Sequence, residues 1–212
     1  CRGSSPLYEQ LALGVAADRE MLAWCREARE GQPVPNLLLG AVHELLLRGA
    51  DHPLKAYYPS LVEQPRPAEE AYAAFRDFCL AYREPLTDLL QRRRVQTNEV
   101  RRCAYLLPCF FHIYRLASKP LALVEIGTSA ALQLLWDHYH YCYAHGEEAG
   151  DPASPVRIAA EIRRERRPAI GQSLPPVAQR IGIDLHLMDL TQEEHALWLK
   201  ALIWPEHHDR RA

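Results

Sequence analysis

Leu121-Ala-Leu-Val-Glu-Ile-Gly-Thr-Ser-Ala-Ala-Leu-Gln-Leu-Leu-Trp136 is the stretch that decides how the chain is read. An apolar run follows Lys119-Pro120 and ends on a carboxylate, Glu125. The chain then turns on Gly127, Thr128 and Ser129. Leu132, Leu135, Trp136 and Tyr139 follow at helical spacing. Apolar run, small-residue turn and amphipathic segment predict a strand, a tight turn and a helix. In open α/β units a ligand sits at the carboxyl end of such a strand.

Upstream, residues 1–118 read as almost entirely helical. Ser5-Pro6 is a helix start, with serine as cap and proline at the first helical position. Asp18 and Asn36 are expected to cap the next two helices. The one from Leu37 to Arg48 is apolar nearly all round, the mark of a central, buried helix. The proline-rich segment from Asp51 to Pro67 reads as a short helix with extended connectors, followed by helices over 68–83 and 86–93. Thr97 can cap a further helix, in which Pro108 predicts a kink or a break.

Downstream, Gly146 to Pro155 reads as a polar loop, Val156 to Ile162 as a strand and Arg163 to Arg167 as a solvated charged run. Pro175-Pro176 can start a short helix, and Ile183 to Asp189 reads as a second strand of the sheet. Thr191 with Glu194 forms a capping-box pattern for a last helix. The expected fold class is α/β: a mostly helical region, 1–118, followed by an incomplete Rossmann-like, methyltransferase-like sheet over 119–212.

The 212 residues are 48% hydrophobic, enough for a sizeable core, and carry a formal net charge of −2. That balance argues against nucleic acid as the main partner. The six cysteines are scattered, with no Cys-x-x-Cys pair, which fits reduced thiols in a cytoplasmic protein. No apolar run reaches the roughly 18 residues of a membrane span. A small-molecule substrate is expected, no membrane or nucleic-acid partner, and a homodimer if an unpaired sheet edge is left.

At the turn, small residues let the backbone pass close to a ligand. Gly127-x-Ser129-x-Ala131 keeps only the first glycine of a Gly-x-Gly-x-Gly pattern, and Ser129 and Ala131 make a pyrophosphate cradle harder to build. A carboxylate two residues before that glycine resembles methyltransferases that bind S-adenosylmethionine, in which it lies near the methionyl end. The cofactor-binding set is therefore Glu125, Gly127, Thr128 and Ser129. Asp184 joins it as an acid for ribose hydroxyls, with Asp189 as the competing choice. Gln96, Asn98 and Glu99 either cap a helix or bind substrate. Two other readings stay open. One is a turn with no ligand. The other is a nucleophile elbow on Ser129, served by Asp184 or Asp189 and then His195 or His207.

His138, His140, Cys142 and His145 invite a zinc reading. On a helix His138 and Cys142 would share a face and His140 would point elsewhere. A second close ligand pair, usual in structural zinc sites, is missing. No metal is expected, and an aromatic helix end is the alternative. Arg92-Arg-Arg94 reads as a solvated helix face, and His43 and His52 as structural.

Several stretches together resemble the bacterial family called domain of unknown function 2332. They are Ser5-Pro-Leu-Tyr8, Pro35-Asn-Leu-Leu-Leu39, Val42-His-Glu-Leu-Leu-Leu-Arg-Gly49 and His52-Pro-Leu-Lys-Ala-Tyr-Tyr-Pro59. With them go Val95-Gln-Thr-Asn-Glu-Val100, Glu125-Ile-Gly-Thr-Ser-Ala130, Leu134-Leu-Trp-Asp137, Gly182-Ile-Asp-Leu185 and Trp204-Pro-Glu206. The resemblance implies a Rossmann-type, methyltransferase-like fold rather than a defined activity. Two departures stand out. Ala131 occupies a position where members usually have glycine, and members continue past Trp204-Pro-Glu206, so the chain reads as lacking the family's C-terminal part.

Overall fold

The computed structural model describes residues 3–96, 98–144, 146–162, 170–171 and 173–207. The α-helices are α1 (Pro6–Ala17), α2 (Arg19–Cys25), α3 (Val34–Leu47), α4 (Ala71–Ala81), α5 (Arg83–Arg92), α6 (Cys103–Ala117) and α7 (Glu193–Ala201). The strands are β1 (Leu121–Ile126), β2 (His140–Tyr143), β3 (Glu147–Gly150), β4 (Arg157–Ala160) and β5 (Val177–Ile183). The chain is thus a mixed α/β protein. It forms two compact units, Cys1–Gln96 with Leu190–Ala212, and Thr97–Asp189. The division between these units falls at 96/97 and 189/190.

The first unit is helical. Ser5 Oγ accepts from Tyr8 N and Asp18 from Glu20 N and Met21 N, so both caps stand where the sequence puts them. α3 begins earlier than expected, at Val34 behind Pro33, leaving Asn36 inside the helix. Pro35, whose φ is already helical, serves this early start. α3 is the centre of this unit, with Leu37, Leu38, Leu39, Ala41, Val42 and Leu46 all buried. Each fully buried leucine there contributes about 1.5–3 kcal/mol. α7 passes close to α3 at Gly40, where a Cβ would meet Leu202 Cδ2 at 3.0 Å and the Trp198 ring at 3.1 Å. α7 is entered through Gln192 rather than Thr191, with no side-chain cap bond.

The second unit holds two sheets. β1 and β5 form a two-stranded parallel pair, and β3-β2-β4 a separate three-stranded sheet. β2 runs antiparallel to β3 and parallel to β4. Parallel strands need a long crossover. Here residues 127–176 supply it and carry the second sheet within it. The core gathers Cys103, Leu107 and Phe111 from α6, Leu121 from β1, Trp136, and Tyr141 and Tyr143 from β2.

Five expectations in this unit are corrected. Leu132–His138 is a 3₁₀ segment broken at Leu135, not an amphipathic α-helix. Side chains take the carbonyls an α-helix would use: Tyr139 Oη donates to Leu132 O at 2.6 Å, Arg180 Nε to Leu134 O at 2.9 Å and Tyr141 Oη to Trp136 O at 2.6 Å. The aromatic segment after it is strand β2 rather than a helix end, and part of the polar loop is strand β3. The residues after Pro175-Pro176 extend as β5, because Pro176 O accepts from Leu121 N at 2.8 Å and opens the parallel ladder. Ile183 is therefore the end of a strand rather than its beginning.

α6 runs through Pro108 without ending there. Proline has no N–H for the carbonyl four residues back. That carbonyl, Ala104 O, instead accepts from Tyr143 Oη at 2.6 Å. Thr97, Arg163 to Arg167 and His145 lie outside the described residues.

Candidate functional site at the end of β1

Alternation along β1 turns Leu121, Leu123 and Glu125 inward and Ala122, Val124 and Ile126 outward. Glu125 is half-buried, and Thr128 Oγ1 donates to its Oε2 at 2.6 Å. Gly127 takes φ +77°, and a Cβ placed on it would meet nothing within 4 Å. Gly127 N donates to Ile183 O at 2.8 Å, which fixes the turn to the end of β5. Ser129 (φ 53°) and Ala131 (φ 60°) are also left-handed, an unusual run for residues with a Cβ.

Asp184 stands just past β5 and accepts from Ser129 N at 2.7 Å and His186 N at 2.9 Å. The His186 amide first, then the Ser129 amide, hold its carboxyl below the usual carboxylate range. Asp189 lies further on, so Asp184 is the acid at the turn. Asn98 clamps the turn from outside: its Nδ2 donates to Thr128 O at 2.7 Å and its Oδ1 accepts from Leu132 N at 3.0 Å. Glu99 Oε1 accepts from Arg101 N at 3.1 Å, a cap for the short helical turn Val100–Arg102. Gln96 belongs to the first unit, whereas Asn98 and Glu99 belong to the second.

Glu125, Gly127, Thr128, Ser129, Asp184 and Asn98 are thus brought together. Ser129 Oγ is buried with no hydrogen-bond partner. No histidine nitrogen reaches it among the described residues, which deprives the elbow reading of its base.

A second cluster lies on the β2–β3 hairpin. Because the segment is a strand, His140 and Cys142 share one face, two residues apart, and Tyr141 and Tyr143 take the other. Glu148 pairs with Cys142 across the ladder. Cys142 Sγ is 3.8 Å from His140 Nδ1, and His140 Nε2 is 3.5 Å from Glu148 Oε2. Sequence reasoning missed Glu148. The signal was the strict alternation Tyr139-His-Tyr-Cys-Tyr143, with aromatics every second residue, which is strand rather than helix periodicity.

In the first unit, His43 is buried with Nδ1 bonded to Ala201 O at 3.0 Å and Nε2 to Ser60 Oγ at 2.9 Å. Arg93 is not solvated: it pairs with buried Glu44 at 2.7 Å and with Glu194 at 2.9 Å. Among the described residues no helix is long and apolar enough to cross a membrane. No curated protein and no solved structure matches the chain. The model of one bacterial family matches it over residues 1–212, and the chain belongs to that family, described as "Uncharacterized protein conserved in bacteria (DUF2332)".

Proposed function

We propose that the turn after β1 binds S-adenosylmethionine and that the chain is a methyltransferase-like protein acting on a small molecule. The observation that carries this is the parallel pairing of β1 with β5, which brings Glu125 and Asp184 to the same strand ends, around Gly127. Carboxyl ends of parallel strands are where Rossmann-type sheets hold their ligands. The residues fit such a group. Open space at Gly127 admits close approach, and Glu125 is bonded to Thr128 through only one of its two oxygens. The cofactor, when bound, supplies an electrophilic methyl group. Glu125 would orient its amino end, and the fixed turn would align donor and acceptor, which is catalysis by proximity. Asp184, already engaged by two backbone amides, would hold the turn in shape and reach ribose only with its remaining acceptor capacity.

The test is calorimetric titration of the chain with S-adenosylmethionine and S-adenosylhomocysteine, alongside Glu125→Gln. Glutamine keeps an acceptor for the Thr128 hydroxyl but loses the charge. Saturable binding weakened at least tenfold in the variant is the expected result. No heat and no thermal shift with either compound, or a variant that binds as the parent does, overturns the reading.

One observation favours a second reading, a non-catalytic interaction module. The outward face of β1 and β5 is apolar and open: Val124 is 62% exposed, Ile126 85% and Ile183 52%. Both strands also keep one edge without a strand neighbour among the described residues. Self-association through this sheet would then be the activity, and light scattering over a concentration series distinguishes it from a monomer.

A further inference from the structure

We infer that His140, Cys142 and Glu148 form a zinc site on the β2–β3 hairpin, with three protein ligands and a fourth position left to water. This goes against the sequence expectation of no metal, and it does not depend on the proposal for the β1 turn. The three side chains each bring a ligand atom within 4.8 Å of the other two. Tetrahedral zinc with bonds of about 2.0–2.3 Å sets its ligand atoms roughly 3.3–3.6 Å apart. Sulfur stands 3.8 Å from Nδ1 and the carboxylate 3.5 Å from Nε2, so convergence on one ring nitrogen needs a side-chain rotation, for which the exposed Glu148 has room.

The backbone supplies the convergence. Strand alternation puts His140 and Cys142 on one face, and the antiparallel register adds Glu148 opposite Cys142. Position 150, opposite His140, is a glycine at φ +88°, where a Cβ would stand 2.0 Å from Tyr139 O. On the other side of β2, Arg157 and Ala159 are the partners of His140 and Cys142, so β4 offers no further ligand. His140 is buried and fixed, Cys142 half-buried, and Glu148 exposed and free to turn inward.

The same three residue types could instead form a thiol nucleophile with a base and an orienting acid. A relay of that kind puts sulfur and carboxylate on opposite sides of the imidazole. Here the nearest contacts do run to the two different ring nitrogens, but sulfur and carboxylate also lie within 4.8 Å of each other, a closeness that a relay does not need and a shared ion does. The donor set of thiolate, imidazole and carboxylate suits a borderline-soft ion such as zinc and is unsuited to calcium or magnesium. Binding releases the thiol proton to solvent. The ion would tie β3 to β2 at the level of Cys142.

The experiment uses the full chain freed of metal, titrated with zinc against a chromogenic chelator and separately loaded with cobalt. Expected are one equivalent of zinc per chain and a sulfur-to-cobalt charge-transfer band in the near ultraviolet. Cys142→Ser should abolish the band, and both Cys142→Ser and Glu148→Gln should weaken zinc at least tenfold. Both substitutions sit at the surface side of the hairpin, and unchanged circular dichroism of the metal-free variants shows that the fold is kept. No stoichiometric zinc, no thiolate band, or variants that bind as the parent does would overturn the site.

Discussion

A methyl group at Gly182 would stand 2.8 Å from Thr128 Cγ2. That contact is closer than packed atoms tolerate, so Gly182→Ala must push Thr128 away and disturb its bond to Glu125. Overpacking of this kind costs about 1–3 kcal/mol, read as a lower denaturation midpoint at unchanged slope. If the proposed cofactor site is real, ligand binding should weaken in the same variant. Glu125, Gly127 and Ser129 were legible in the sequence because a run of small residues after an apolar strand announces a turn. Asn98 was legible only as a polar residue of undecided role, since its partners, Thr128 O and Leu132 N, lie far along the chain. Ala131 takes a left-handed conformation, the backbone that the glycine usual at this position in the family adopts without strain.

At the level of elements, local chemistry was readable and long-range chemistry was not. Ser5 and Asp18 cap their helices because the cap bond spans two or three residues. The 3₁₀ segment after β1 was misread because tyrosine hydroxyls and Arg180 take its carbonyls. β5 was misplaced because its ladder begins on a proline carbonyl, which no propensity reveals.

Asp18 also gives a pH prediction. The amides of Met21 and Glu20, the Arg76 guanidinium and the Tyr72 hydroxyl all favour its ionised form, lowering its pKa from 3.8 to about 2. A carboxyl lowered by folding contributes stability that is complete above the unfolded value and is lost as pH falls through the folded one. Melting temperature should therefore drop between pH 3.8 and about 2, and Asp18→Asn should flatten that limb. An unaltered acid limb in the variant would show that Asp18 is not a source of it.

Over the whole molecule, the helical first unit was foreseen in outline, whereas a single Rossmann-like sheet was expected where the second unit builds two. The difference matters for solubility. Helices usually cover both faces of a parallel sheet, yet Val124, Ile126 and Ile183 stand open on the outer face of β1 and β5. A contiguous apolar patch of this kind marks an interface. Concentration-dependent association is the expected behaviour, and Ile126→Glu should shift it toward monomer with little change in melting temperature. Association that ignores this substitution would place the contact elsewhere.

The parallel pairing of β1 and β5 also dictates an order of events during synthesis. A nascent chain that has emerged only as far as β4 holds the Glu125 turn without Ile183 O or Asp184 to fasten it. The hairpin bearing His140 and Cys142 is closed by then, since its partners are all local. Of the two candidate ligand positions, the hairpin would thus mature on the ribosome, and the strand-end position only after the last parallel strand arrives.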